Sequence, residues 1–167
     1  MALTLSGTNG VSDNSGAFIR ATAVTSTSGT AIDFTGIPSW AKRITIVFSG
    51  VSTNGSTNYL IQLGTSGGVE STSYTSGGWT YNAAFSSTSG LIANYALGAG
   101  DVCNGEMTIT NINSNNWVST SIFNTPTTNQ PSMATGTKSL SGTLDRVRIT
   151  TVGGNTFDAG TINILYE

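Results

Sequence analysis

Eight carboxylates, six Lys/Arg cations and one thiol carry whatever acid, base or nucleophilic chemistry this 167-residue chain possesses; histidine is absent. Without an imidazole, a Ser-His-Asp relay and a histidine-ligated metal are both excluded. A single cysteine makes neither an intramolecular disulfide nor a cysteine-based zinc site. With no histidine to activate it, Cys103 reads as a small buried hydrophobe rather than a nucleophile. Glycoside hydrolysis needs two carboxylates facing one another across a cleft. Asp101 and Glu106 are close in sequence, but one precedes a predicted strand and the other lies within it, so they read as a turn residue and a strand-surface charge. In Asp145-Arg146-Val147-Arg148 the alternation sends Asp145 and Arg146 to opposite faces and leaves Arg146 and Arg148 sharing one, as solvated edge charges that discourage strand aggregation. Asp158, within Phe157-Asp158-Ala159-Gly160, reads as a turn-forming side chain. The run 111–116, NINSNN, offers amide oxygens without a carboxylate, a poor cradle for calcium. No catalytic residue, metal ligand or cofactor site is assigned on these grounds, and the chain is not expected to be an enzyme.

The remaining candidates are aromatic. Tyr74, Trp79 and Tyr81 lie in a stretch rich in Ser, Thr and Gly. Exposed, they could stack on the faces of sugar rings and are the candidate binding residues; buried, they plug the core or a subunit interface, the more ordinary use of such side chains.

The elements that must position these residues are strands. Ser (22), Thr (28), Asn (15) and Gly (21) dominate the composition, yet the apolar residues fall in short blocks of Ile, Val, Phe, Tyr and Trp, which suit a pleated surface rather than a disordered linker. No window carries a 3.6-residue apolar period. Residues 17–25 and 31–34 read as strands. Residues 42–51 are the clearest strand, with Ile44, Ile46 and Phe48 on one face. Asn54-Gly55 signals a hairpin, returning through 58–64 with Tyr59, Ile61 and Leu63 on one face. Within 65–90 the pattern supports only loops, with short strands near 79–85 and 90–96. Residues 102–112, with Cys103, Met107 and Ile109 inward, pair with 117–123. Residues 124–137, carrying two of the three prolines, read as a polar loop; 143–152 and 160–166 complete the set. About eight to ten short strands with turns roughly every 8–12 residues predict an all-β chain, an antiparallel β-sandwich of jelly-roll-like type. A short extended N-terminal arm precedes it: residues 1–30 hold the arm and first strand, 31–167 the body. Leu3 and Leu5 alternate with polar residues, and a lone strand so short needs an edge to join, so they are the candidate attachment residues.

A net charge of −2 argues against a phosphate-binding surface and hence against nucleic acid. The apolar runs are far too short to span a membrane. The opening MALTLSGTNG lacks the basic and apolar regions of a signal peptide.

Three stretches resemble virion structural proteins of tailed bacteriophages. The opening, Met1-Ala2-Leu3-Thr4-Leu5-Ser6-Gly7-Thr8-Asn9-Gly10-Val11, is similar to the start of many tail-fibre-type proteins. The segment 31–64, with Ile37-Pro38-Ser39-Trp40-Ala41-Lys42-Arg43-Ile44 and Gln62-Leu63-Gly64, resembles a recurrent phage β-domain. Residues 138–167, from Lys138-Ser139-Leu140-Ser141-Gly142 to Ile162-Asn163-Ile164-Leu165-Tyr166-Glu167, resemble the close of that domain. The resemblance is weakest over 77–137. It implies a non-enzymatic homotrimer, exposed on the virion, assembled in the host bacterial cytoplasm, contacting other tail or capsid proteins and host surface carbohydrate. A strand advances about 3.3 Å per residue, so an N-terminal part of this size reaches at most ~100 Å and leaves no room for a long shaft. That raises a second expectation, a capsid decoration (cement) protein on the outer surface of the phage head.

Overall fold

The structure, a computed structural model, describes residues 5–6, 10–11, 18–81, 83–127 and 129–167. In chain order the strands are β1 (Leu5–Ser6), β2 (Gly10–Val11), β3 (Ile19–Arg20), β4 (Val24–Thr25), β5 (Ala31–Thr35), β6 (Arg43–Thr53), β7 (Thr57–Thr65) and β8 (Gly68–Val69). They continue as β9 (Tyr74–Thr80), β10 (Ala84–Ser87), β11 (Leu91–Leu97), β12 (Cys103–Asn113), β13 (Asn116–Thr125), β14 (Gln130–Ser139), β15 (Arg146–Thr151) and β16 (Phe157–Tyr166). Among the described residues there is no helix.

Two antiparallel sheets pack face to face as a β-sandwich. The larger has the order β10-β9-β14-β13-β12-β6-β16-β3, with β4 also on β16; the smaller has the order β11-β7-β15-β5, with β8 on β7. The expected first strand over 17–25 is two short pieces, β3 and β4, both laid along β16. β1 pairs with β2, Leu5 opposite Val11. Leu3 lies outside the described residues.

Alternation builds the core. Ile44, Ile46 and Phe48 from β6 meet Met107 and Ile109 from β12 and Ile162 and Ile164 from β16, all buried, against Tyr59, Ile61 and Leu63 of β7 and Val147 and Ile149 of β15. One end is aromatic: Phe48 meets Phe123 edge-on at 5.1 Å between centroids, and Tyr59, from the opposite sheet, lies 5.8 Å from Phe48 and 5.7 Å from Phe157. Such pairs add about 0.5–1.5 kcal/mol each beyond the area they bury.

The Asn54-Gly55 hairpin is not formed. β6 and β7 belong to different sheets, so residues 54–56 turn a corner between them. The hairpin turn for which Asn-Gly is suited needs left-handed backbone, and Gly55 is not among the glycines with positive φ. A second corner, from β15 to β16, lies against the first. Asn54 accepts from the Thr156 amide at 2.9 Å and donates its own amide to the Thr156 carbonyl at 3.0 Å, while the Asn155 side chain donates to the Ser56 carbonyl at 2.7 Å. A side chain at Gly55 would collide with Asn155. The Asn and Gly therefore serve a contact between corners rather than a tight turn.

Residues 124–137 are not a loop. β14 runs through most of them, between β13 and β9. Pro131 is accommodated because β9 pairing begins one residue further on, at Ser132 opposite Thr80. The strand expected over 79–85 spans a turn instead, closed by the Thr80 amide on the Ala83 carbonyl at 2.9 Å, with β9 before it and β10 after it.

Gly160 sits at a bulge in β16 with φ +97°. A Cβ there would run into the Gly50 carbonyl and come within 2.6 Å of the Val51 Cα. Gly154, in the nearby turn, has φ +86° and open space around it. Gly154→Ala therefore costs only the left-handed strain, about 1–2 kcal/mol. Gly160→Ala adds a backbone collision and costs about 3 kcal/mol or more. Equilibrium urea unfolding of the two variants checks this; equal losses would show that β16 yields freely at the bulge.

Candidate binding face

Most of the carboxylates that could have formed a catalytic pair are engaged by neighbouring donors. Asp33 takes both guanidinium donors of Arg148 at 2.7 Å, a cross-strand pair between β5 and β15. That hydrogen bonding, outweighing partial burial, holds the Asp33 carboxyl below its ordinary value. β15 lies between β5 and β7, so Arg146 and Arg148 are not edge charges. Asp145 and Arg146, expected on opposite faces, form an ion pair at 3.1 Å because Asp145 precedes β15 and is free of its alternation. Asp158 is in β16 rather than a turn and accepts from the Ser52 hydroxyl. Asp101 caps its own loop, accepting from the Gly98 amide at 2.8 Å and the Thr127 hydroxyl at 3.1 Å, while Glu106 stands exposed on β12. Among the described residues no three acidic, cysteine or histidine side chains converge as metal ligands. The Cys103 thiol is buried, accepts from the Asn94 amide at 2.9 Å and is pushed up to about 12 by desolvation.

The three candidate aromatics separate. Tyr74 is buried: its hydroxyl accepts from the Leu63 amide at 2.7 Å and donates to the Glu70 carbonyl at 2.8 Å. The Lys138 ammonium lies 5.0 Å from its ring centroid. Trp79 and Tyr81 are exposed, at 62% and 64%, with Ile122 and Met133 beside them at 67% and 55%.

Register explains the grouping. Met133 of β14 lies directly opposite both Trp79 of β9 and Ile122 of β13, so the three form one row across adjacent strands. Glu106 of β12 and Val47 of β6 continue the row. Trp79, Met133 and Ile122, with Tyr81 and Pro131, line a shallow cleft of about 240 Å³. Its two aliphatic hydroxyls turn away: Ser132 donates to the Asn94 side chain at 2.6 Å, and Thr80 bonds the Ala83 carbonyl at 3.4 Å. A sugar site needs polar groups beside its aromatics to hold the ring hydroxyls, and this lining supplies few.

Beside this row the face carries threonines. The next row is Thr135, Thr120, Thr108 and Thr45 across β14, β13, β12 and β6. Cross-strand threonine pairs contribute about 0.2–1 kcal/mol each without charge. Sequence reasoning missed Ile122, Met133 and Pro131. Two of them lie in the stretch read as a loop, and without the strand nothing sets Met133 beside Trp79. No protein family, curated protein or solved structure matches the chain.

Proposed function

We propose that the chain is a non-enzymatic structural protein of a tailed-bacteriophage virion, a trimeric β module of tail-fibre type exposed at the particle surface to meet host glycan. The resemblance of residues 1–11, 31–64 and 138–167 to phage virion proteins supplies the particle. The row Trp79-Met133-Ile122 on a sheet face with few charges supports a role in binding: exposed contiguous apolar surface of this kind marks an interaction site. Asp33, Asp101, Asp145 and Asp158, each engaged by a neighbouring donor, support a structural over a hydrolytic role, while Glu106 stands exposed.

The apolar lining of the cleft favours protein over sugar as the immediate contact, and so lends weight to a second reading, a decoration protein seated on the outer capsid. Copy number separates the two. Quantitative electrophoresis of purified particles of the encoding phage is expected to show a handful of trimers per virion. Copies rivalling those of the major shell protein would favour decoration of the head. Absence from the particle would overturn both.

A further inference from the structure

The larger sheet exposes a face broad enough to be an interface in its own right. Five adjacent strands, β9, β14, β13, β12 and β6, run together across it. At about 4.8 Å between strands and about 3.3 Å per residue, five strands of ten residues present roughly 800 Å². That is close to the ~800 Å² each partner contributes to a specific protein interface.

Its charge pattern says what kind of partner fits. The outward side chains of these strands carry only two charges, Arg43 and Glu106, and Arg43 is already paired with Glu167 at 3.2 Å. A partner bearing a complementary charge would find almost nothing to answer it. A copy of this chain makes no such demand: apart from Glu106, which continues the apolar row beyond Ile122, the face it would bring is as free of charge as this one. The apolar row has the make-up of an interface centre, where Trp, Tyr and Met are enriched and charge is depleted. Around it lie Thr and Ser side chains that can form the rim.

We infer that this outer face, centred on Trp79, Met133 and Ile122, is where a second copy of the chain docks. The inference rests on the trimeric reading above and adds the surface that makes the oligomer, three copies turning this face toward a common threefold axis. All three side chains point away from the core, so replacing them leaves the fold of the protomer intact.

Sedimentation velocity across a concentration series tests it, on wild type, Ile122→Glu and Met133→Glu, with Val152→Glu on the smaller-sheet side as a control of equal charge. Near-ultraviolet dichroism confirms that each variant is folded. Wild type and Val152→Glu are expected to assemble at micromolar concentration, with Trp79 emission shifting to shorter wavelength as they do. Ile122→Glu and Met133→Glu are each expected to raise the concentration needed for assembly by at least about tenfold. An oligomer that survives both substitutions overturns this face and leaves the trimeric reading standing. A monomeric wild type overturns both. A monomer whose Trp79 emission shifts only on adding host lipopolysaccharide does the same and hands the face to a glycan.

Discussion

Ile46→Asp abolishes cooperative folding. Ile46 is at the centre of the larger sheet, opposite Met107 of β12 and Ile164 of β16, with no exposed surface. The substitution removes packed methyl groups and introduces a carboxylate with neither water nor cation within reach. Such a group carries a desolvation cost of several kcal/mol even after it protonates. A total near 5 kcal/mol or more takes from about a third to all of the ~5–15 kcal/mol by which domains are stable. The variant is expected to show no cooperative thermal transition. Ile46→Val, which only trims a methyl, costs about 1 kcal/mol. Thr45→Asp, one residue away but pointing outward, keeps the fold at a cost of about 1 kcal/mol or less. Ile46→Asp melting with the wild type would mean that β6 has the opposite face inward.

The second large effect comes from Lys138, whose side chain is only 4% exposed although it is charged. Its ammonium sits 2.7 Å from Glu70 and donates to the Thr72 carbonyl at 3.0 Å, beneath the Tyr74 ring. Glu70 also accepts from the Ser141 amide at 2.9 Å and the Ser141 hydroxyl at 2.6 Å. The cluster fastens the stretch between β8 and β9 to β14 and to the turn beyond it. Removing one partner of a buried pair costs about 3–5 kcal/mol because the other is left uncompensated. The two ends differ. Lys138→Met leaves Glu70 partly solvated and still held by Ser141, so its loss falls at the low end, about 3 kcal/mol. Glu70→Ala strands a buried ammonium and falls at the high end, about 5 kcal/mol. Urea unfolding of both variants should reproduce this order; the reverse order would show that the carboxylate, not the ammonium, is the costlier group to leave alone.

The same cluster sets an acid dependence. Burial pushes the Glu70 carboxyl up, but the hydrogen bonds from Lys138 and Ser141, with the Lys138 charge, bring it below its ordinary value. Its folded value therefore lies below its unfolded one. The stabilisation is complete above the unfolded value and disappears as pH falls through the folded value. Glu70→Gln should flatten the decline of stability on acidification relative to wild type.

Strands whose inward positions hold large apolar side chains were legible without coordinates. β6, β7, β12, β15 and β16 alternate Ile, Leu, Val, Phe or Met with polar residues, and the same residues prove buried. β9 and β14 were not, because their polarity runs backwards. Their inward positions include Ser76, Ser132, Ala134, Gly136 and Lys138, while Trp79 and Met133 face out. The reason lies across the sandwich. β11 packs close against this part of the larger sheet: the Ile92 amide donates to the Ser76 hydroxyl at 2.9 Å, and a Cβ on Gly136 would lie 2.8 Å from Leu91. Small and hydroxyl-bearing residues let the two backbones approach, so β14 carries no hydrophobic alternation on its inward side.

The amino-acid sequence by itself determined that the protein is an antiparallel β-sandwich, because side-chain alternation and the lack of a helical period are local properties. It also excluded histidine-based chemistry by composition. Only the tertiary structure decided which strands share a sheet, since Asn54-Gly55 is compatible with a hairpin until Asn155 and Thr156 arrive from about a hundred residues away to make it a corner. The tertiary structure also decided the exposed apolar row. Trp79, Ile122 and Met133 become neighbours through the register of β9, β14 and β13, and register depends on what each strand finds to bury on its other side.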